Sequence, residues 1–115
     1  MKEYLMLIRE NLETYGKMTP QQMQEDIENH IKWVEELVKN GNFKGGNPLT
    51  PDGNHIKGKN KMITNGPYIE VKEGVSGYYF LLANSLEEAT TIAKGCPSLD
   101  IGGAVEIREV IQTQP

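Results

Sequence analysis

The stretch GYYFLLA, residues 77–83, runs from a glycine through six apolar residues to the turn pair Asn84-Ser85. Six apolar residues bounded by turn formers predict a buried strand and are too few for a core helix. A strand alternates its side chains, so Tyr78, Phe80 and Leu82 point one way and Tyr79 and Leu81 the other. Both sets are apolar. A second run, EYLMLIR at residues 3–9, repeats the pattern, with Leu5 and Leu7 set against Tyr4, Met6 and Ile8. These two strands must therefore be covered on both faces, and the rest of the chain has to supply the cover.

Two helices are marked by their caps. Thr19-Pro20 followed by Gln22 supplies an N-cap, a proline at the first helical position and a capping-box partner. Met23, Ile27, Ile31, Val34, Leu37 and Val38 then recur at three- and four-residue spacing, which predicts one buried helix face, and Asn40-Gly41 stops it. Ser85 with Glu88 predicts a second capping box ahead of Leu86, Ala89, Ile92 and Ala93, ended by Gly95 and Pro97. Residues 103–111 alternate through Val105, Glu106, Ile107 and Arg108, a strand with one wet face. The Gly-rich residues 42–49 are compatible with a bent strand. Residues 55–64 carry Lys57, Lys59 and Lys61 at every second position, as an edge hairpin turning near Lys59-Asn60 would.

The order is strand, helix, strand, hairpin, strand, helix, strand. This is the α+β, ferredoxin-like split βαβ pattern with an inserted β-hairpin, and it places both helices on one face of an antiparallel sheet. Two helices leave the other face bare. With no third helix in the sequence, a second copy of the chain is the simplest cover, so a homodimer packed through the sheet face is expected.

Residues 1–115 make one domain by length. The chain is 37% hydrophobic, with 12 basic and 16 acidic side chains for a net charge of −4, which gives no electrostatic reason to bind nucleic acid. The longest apolar run, residues 78–83, is far short of the roughly 20 residues that span a bilayer. The apolar residues 4–8 are closed by Arg9 and Glu10, too soon for a signal peptide. Cys96 is the single cysteine, which fits a reducing, cytoplasmic setting. No phosphate loop, dinucleotide fingerprint or serine elbow occurs, and two histidines with one cysteine make no zinc set, so neither cofactor nor metal is expected.

Among chemistry-bearing residues, His30 lies on or beside the buried helix face. It suits a general base, or equally a core-edge histidine that bonds a backbone carbonyl or pairs with Asp26 one turn earlier. Asn65-Gly66-Pro67 is first a turn. Glu70, Lys72 and Glu73 follow it with mixed charge, as a solvated loop or with one carboxylate facing a cleft. His55 and the hairpin lysines form a basic edge without the interleaved aromatics of a single-strand binder. Cys96 follows a helix C-terminus, where the dipole raises a thiol pKa. Trp33, Tyr78 and Tyr79 are most simply core or dimer-interface residues.

The segment Thr64-Asn65-Gly66-Pro67-Tyr68-Ile69-Glu70-Val71-Lys72-Glu73 resembles the signature of the YCII-related, or DGPF-domain, family, which reads T-D-G-P-F-x-E-x-K-E. The opening strand, a helix carrying a histidine like His30, the Gly45-Gly46 pair and the close at residues 103–108 are similar to that family too. The resemblance implies a dimeric α+β barrel and a small-molecule cleft between helix and sheet, with a His and an Asp as an acid–base pair. Some relatives look like companions of extracytoplasmic-function sigma factors. Carried over, the catalytic positions are His30 and Asn65, and Gly66, Pro67, Tyr68, Glu70 and Lys72 are ligand-binding. Asn65 stands where the family has Asp and cannot take a proton; Tyr68 keeps the ring and adds a hydroxyl. Two functions follow as expectations: proton transfer on a small polar molecule with His30 as base, or a non-catalytic ligand-binding or regulatory module.

Overall fold

The strand pair read first in the sequence lies at the centre of the sheet. In the computed structural model, which describes residues 1–50, 52–65 and 73–113, β1 (Lys2–Asn11) pairs antiparallel with β5 (Glu73–Ala83). The side chains of Leu12, Tyr15, Asn65 and Glu73 lie outside that description. β6 (Ala104–Glu109) flanks β1, and β2 (Phe43–Pro48) flanks β5, giving the order β2-β5-β1-β6 with every pair antiparallel. That order is the ferredoxin-like one. β3 (Asn54–Lys57) and β4 (Met62–Asn65) form a separate two-stranded hairpin, the insertion expected between the second and third main strands.

Side-chain alternation sorts the sheet into two unequal faces. Tyr4, Met6, Ile8 and Glu10 of β1 and Tyr79, Leu81 and Ala83 of β5 are buried on one of them. Leu37 of α2 (Pro20–Lys39) and Ala89 and Ala93 of α3 (Leu86–Ala93) close over that face to make the core. The opposite face carries Leu5 and Leu7 paired with Phe80 and Tyr78, and Glu3 paired with Leu82. All five apolar residues there keep partial exposure, and Tyr78 and Phe80 stack edge to face at 5.8 Å. Arg9 and Glu106 pair at 3.4 Å and Lys44 and Glu3 at 2.7 Å around it.

The first helix has the predicted cap: Thr19 accepts from the Gln22 N–H while the Gln22 side chain accepts from the Thr19 N–H. The second box is only half made. Ser85 accepts from the Glu88 N–H, but the Glu88 carboxylate accepts from the Asn84 side chain instead. Two short elements were not expected, α1 (Leu12–Gly16) and a 3-10 turn at Pro97–Ile101.

The buried face predicted for α2 is corrected. Leu37 is buried and Val34 half-buried, but Met23, Ile27, Ile31 and Val38 are 37%, 49%, 51% and 57% exposed. The helix instead turns Asp26, His30, Trp33 and Leu37, also spaced by four, three and four, toward the sheet. The sheet presents the Tyr79 hydroxyl there, His30 meets it at 3.2 Å, and polar groups taken from water need polar partners. No helix among the described residues is long and apolar enough to cross a membrane.

Candidate functional site

His30 sits midway along α2 with its side chain 17% exposed, and both ring nitrogens are engaged. Nδ1 lies 3.2 Å from the Tyr79 hydroxyl and Nε2 lies 3.1 Å from Ser98 Oγ. Asp26, one turn earlier, places Oδ1 3.6 Å from the same Nε2. A carboxylate beside Nε2 favours the tautomer protonated there, so Nε2–H faces Ser98 and Asp26 while Nδ1 accepts from the Tyr79 hydroxyl. The result is a line of groups, Asp26, His30 and Tyr79, contributed by a helix and the central strand.

Burial tunes this line. It pushes the Tyr79 phenol up to about 12, with Cys96, Asp26 and Glu10 adding to the effect, so Tyr79 keeps its proton and serves as a donor. Burial also raises the Asp26 carboxyl above its ordinary range; the His30 ring opposes the rise and the Glu10 carboxylate adds to it. The Cys96 thiol is raised as well, chiefly by burial, with Ser98 hydrogen bonds opposing. The direction is the one expected from the sequence, but burial leads where the helix dipole was the expected cause.

Tyr79 is held from three sides. Trp33 and Phe43 pack against its ring at centroid distances of 5.6 Å and 5.8 Å. On the third side, a side chain at Gly46 would collide with the Tyr78 carbonyl and the Tyr79 ring. Glycine in β2 is therefore a packing requirement of the site. Beside the ring of His30 opens a cavity of about 430 Å³. Ile27, Ile31, Val34 and Phe43 give it apolar walls, and Tyr79, Ser98, Asp26 and Glu10 are among the residues that supply polar groups. An apolar cleft with a few convergent polar groups is the usual form of a small-molecule site. The exposed apolar residues of α2 are thus in part its wall.

The residues predicted from the sequence fare differently. His30 is at the cavity. Asn65 ends β4 opposite Asn54, and its side chain lies outside the described residues. Gly66, Pro67, Tyr68, Glu70 and Lys72 also lie outside them. Sequence reasoning weighed Asp26 only as a structural partner of His30 and missed Tyr79, Ser98 and Glu10 as site residues. Glu10 was legible, because it continues the period-two series Tyr4, Met6, Ile8 onto the buried face. Ser98 was not, since only the 3-10 turn after Pro97 carries it to the ring.

A family model described as YCII-related domain matches residues 2–114. No curated protein matches the chain significantly.

Proposed function

The chain belongs to the YCII-related domain family, and from that premise we propose that it binds a small polar or carbonyl-bearing molecule beside His30 and moves a proton on it. The observation that carries this reading is the 3.2 Å contact between His30 Nδ1 and the Tyr79 hydroxyl at the cavity wall, with Asp26 behind the other nitrogen. Tyr79 donates its hydrogen to His30 and keeps oxygen lone pairs for the ligand. As an acidic ligand proton passes to the Tyr79 oxygen, the phenolic proton passes to Nδ1, and Asp26 offsets the imidazolium charge. Asp26 thus takes the part that the family's Asp would play at Asn65. In this reading Asn65, Gly66, Pro67, Tyr68, Glu70 and Lys72 bind the ligand from the signature segment, as the family resemblance implies.

The working unit is a cytoplasmic homodimer closed through the open sheet face, a dimeric α+β barrel. The apolar, only partly covered Leu5, Leu7, Tyr78, Phe80 and Leu82 support this.

One observation favours a non-catalytic binding or regulatory module. Both ring nitrogens already have protein partners, so His30 has none left for a ligand. Hydrogen–deuterium exchange separates the two readings. A panel of small 2-oxo acids and 1,3-dicarbonyl compounds in D2O, followed by proton NMR, should show exchange above buffer with the wild type. His30→Gln should slow it by about 100-fold or more while ligand binding persists. Exchange at the buffer rate for every compound, with His30→Gln changing affinity alone, would establish the binding module.

A further inference from the structure

The hairpin of β3 and β4 stands apart from the main sheet. It forms a two-stranded sheet of its own, and among the described residues no strand of the four-stranded sheet pairs with it. His55 and Thr64, a directly opposed pair, are half-buried on one of its faces. Ile56 and Ile63, the next pair, leave the other face and are 63% and 67% exposed. A lone two-stranded hairpin is marginal in water and gains stability by packing an apolar face on a helix. Lys57, Lys59 and Lys61 are exposed and make no ion pair among the described residues. Residues 54–64 contain no acidic side chain, so this end of the molecule is basic in an acidic chain.

A matching surface lies on α2. Met23, Ile27, Ile31 and Val38 form its exposed apolar row. Glu28 and Glu35, also exposed, stand three residues before and four after Ile31, so they border that row. Neither carboxylate forms an ion pair among the described residues. Spacing agrees as well as charge. Opposed strand residues carry their Cβ atoms about 5 Å apart and helix residues four apart about 6 Å, so the Ile56–Ile63 pair has nearly the pitch of Ile27 and Ile31. Both surfaces stay exposed in the single chain, so the hairpin does not cover its own α2. The alternating lysines guard the strand edges against strand addition, which leaves the apolar face as the means of contact.

We propose that the hairpin of one copy docks on the exposed α2 row of a second copy. Ile56 and Ile63 lie against Ile27 and Ile31, and the hairpin lysines lie beside Glu28 and Glu35. Ile27 and Ile31 also wall the His30 cavity, so the contact brings a segment of the second copy to the mouth of that cavity. It rests neither on proton transfer at His30 nor on the dimer closed through the sheet face.

Disulfide trapping in the full chain tests it, since the native Cys96 is buried. Ile63→Cys chains mixed with mass-labelled Ile31→Cys chains should give a mixed disulfide dimer under mild oxidation. Its yield should exceed roughly tenfold that of Ile63→Cys mixed with Leu86→Cys, an equally exposed position on α3. Lys57→Glu with Lys61→Glu in the first chain should cut the mixed yield several-fold, and Glu28→Lys with Glu35→Lys in the second should restore it. All of these positions are exposed, so the variants should fold like the wild type by circular dichroism. A mixed yield no higher than the Leu86→Cys control, or charge reversals that fail to compensate, would overturn the proposal. So would trapping confined to single chains that carry both cysteines. Wild-type binding to phosphatidylserine vesicles, lost with the lysine reversals while no mixed dimer forms, would assign the hairpin to a membrane surface instead.

Discussion

The two faces of one sheet have taken opposite courses. On the helix-covered face the apolar core of Tyr4, Met6, Ile8 and Leu81 gives way at one end to Glu10, Tyr79 and, above them, Asp26 and His30. On the open face Leu5, Leu7, Phe80 and Leu82 stay apolar to the centre, and charge lies toward its margin, in the pairs Arg9 with Glu106 and Glu3 with Lys44 and in Arg108 across from Leu5. The difference teaches where each kind of polarity is tolerated. Under the helices, His30 and Tyr79 are partners from two layers, and burial raises the Tyr79 phenol and the Asp26 carboxyl above their usual ranges. On the bare face no second layer is present among the described residues, so the polar groups there stay where water reaches them. One face has the composition of a site, the other that of an interface.

That contrast can be broken by substitution. Leu81→Ala, at a fully buried position of the covered face, should lower the unfolding free energy by about 2–5 kcal/mol in urea titrations. Leu5→Ala on the open face should cost clearly less in dilute protein, with a penalty that grows as concentration rises. Equal, concentration-independent losses would mean the faces are equally covered. Phe80→Asp comes next. A lone carboxylate in the proposed dimer face should weaken association by about 2 kcal/mol or more, so sedimentation should report a monomer while far-ultraviolet circular dichroism stays unchanged.

Tyr79→Phe sharpens the covered side. Loss of one hydrogen bond to His30 should cost about 1 kcal/mol. It should also remove the latest step of the alkaline ultraviolet titration. The folded phenol holds its proton to about 12 against an ordinary 10.0, so its stabilising contribution is complete below that ordinary value and is lost as pH rises through about 12. The smallest effect belongs to neither face: Lys57→Ala, on the exposed hairpin, should change stability by less than about 0.5 kcal/mol.

The sequence made the architecture legible because its signals are short-range. Thr19-Pro20 caps α2 where expected, the lysine-bearing hairpin turns at residues 58–61, and the two double-faced strands pair at the centre. The site was legible only in part. Periodicity ranks residues by hydropathy, and on α2 it chose Met23, Ile27, Ile31 and Val38 over the stripe through Asp26 and His30. That second stripe is explained by the Tyr79 hydroxyl on β5, which no local window contains. The bulge between Ile8 and Arg9 adds to this, since Ile8 pairs with Gly77 but Arg9 with Val75, so alternation changes phase along β5 just before the site.

The molecule measures 44 × 41 × 20 Å, and the shortest dimension is one sheet plus one layer of helix. Such a slab has a single stratum of side chains for an interior, and the open cleft beside His30 is cut into its side. A guest in that cleft would thicken a thin interior, and what fills it helps decide how firmly the chain stays folded. At a hundred times its dissociation constant a ligand adds about 2.7 kcal/mol to stability. Set against the few kcal/mol that hold a small domain together, that makes resistance to heat a measure of what the cleft contains.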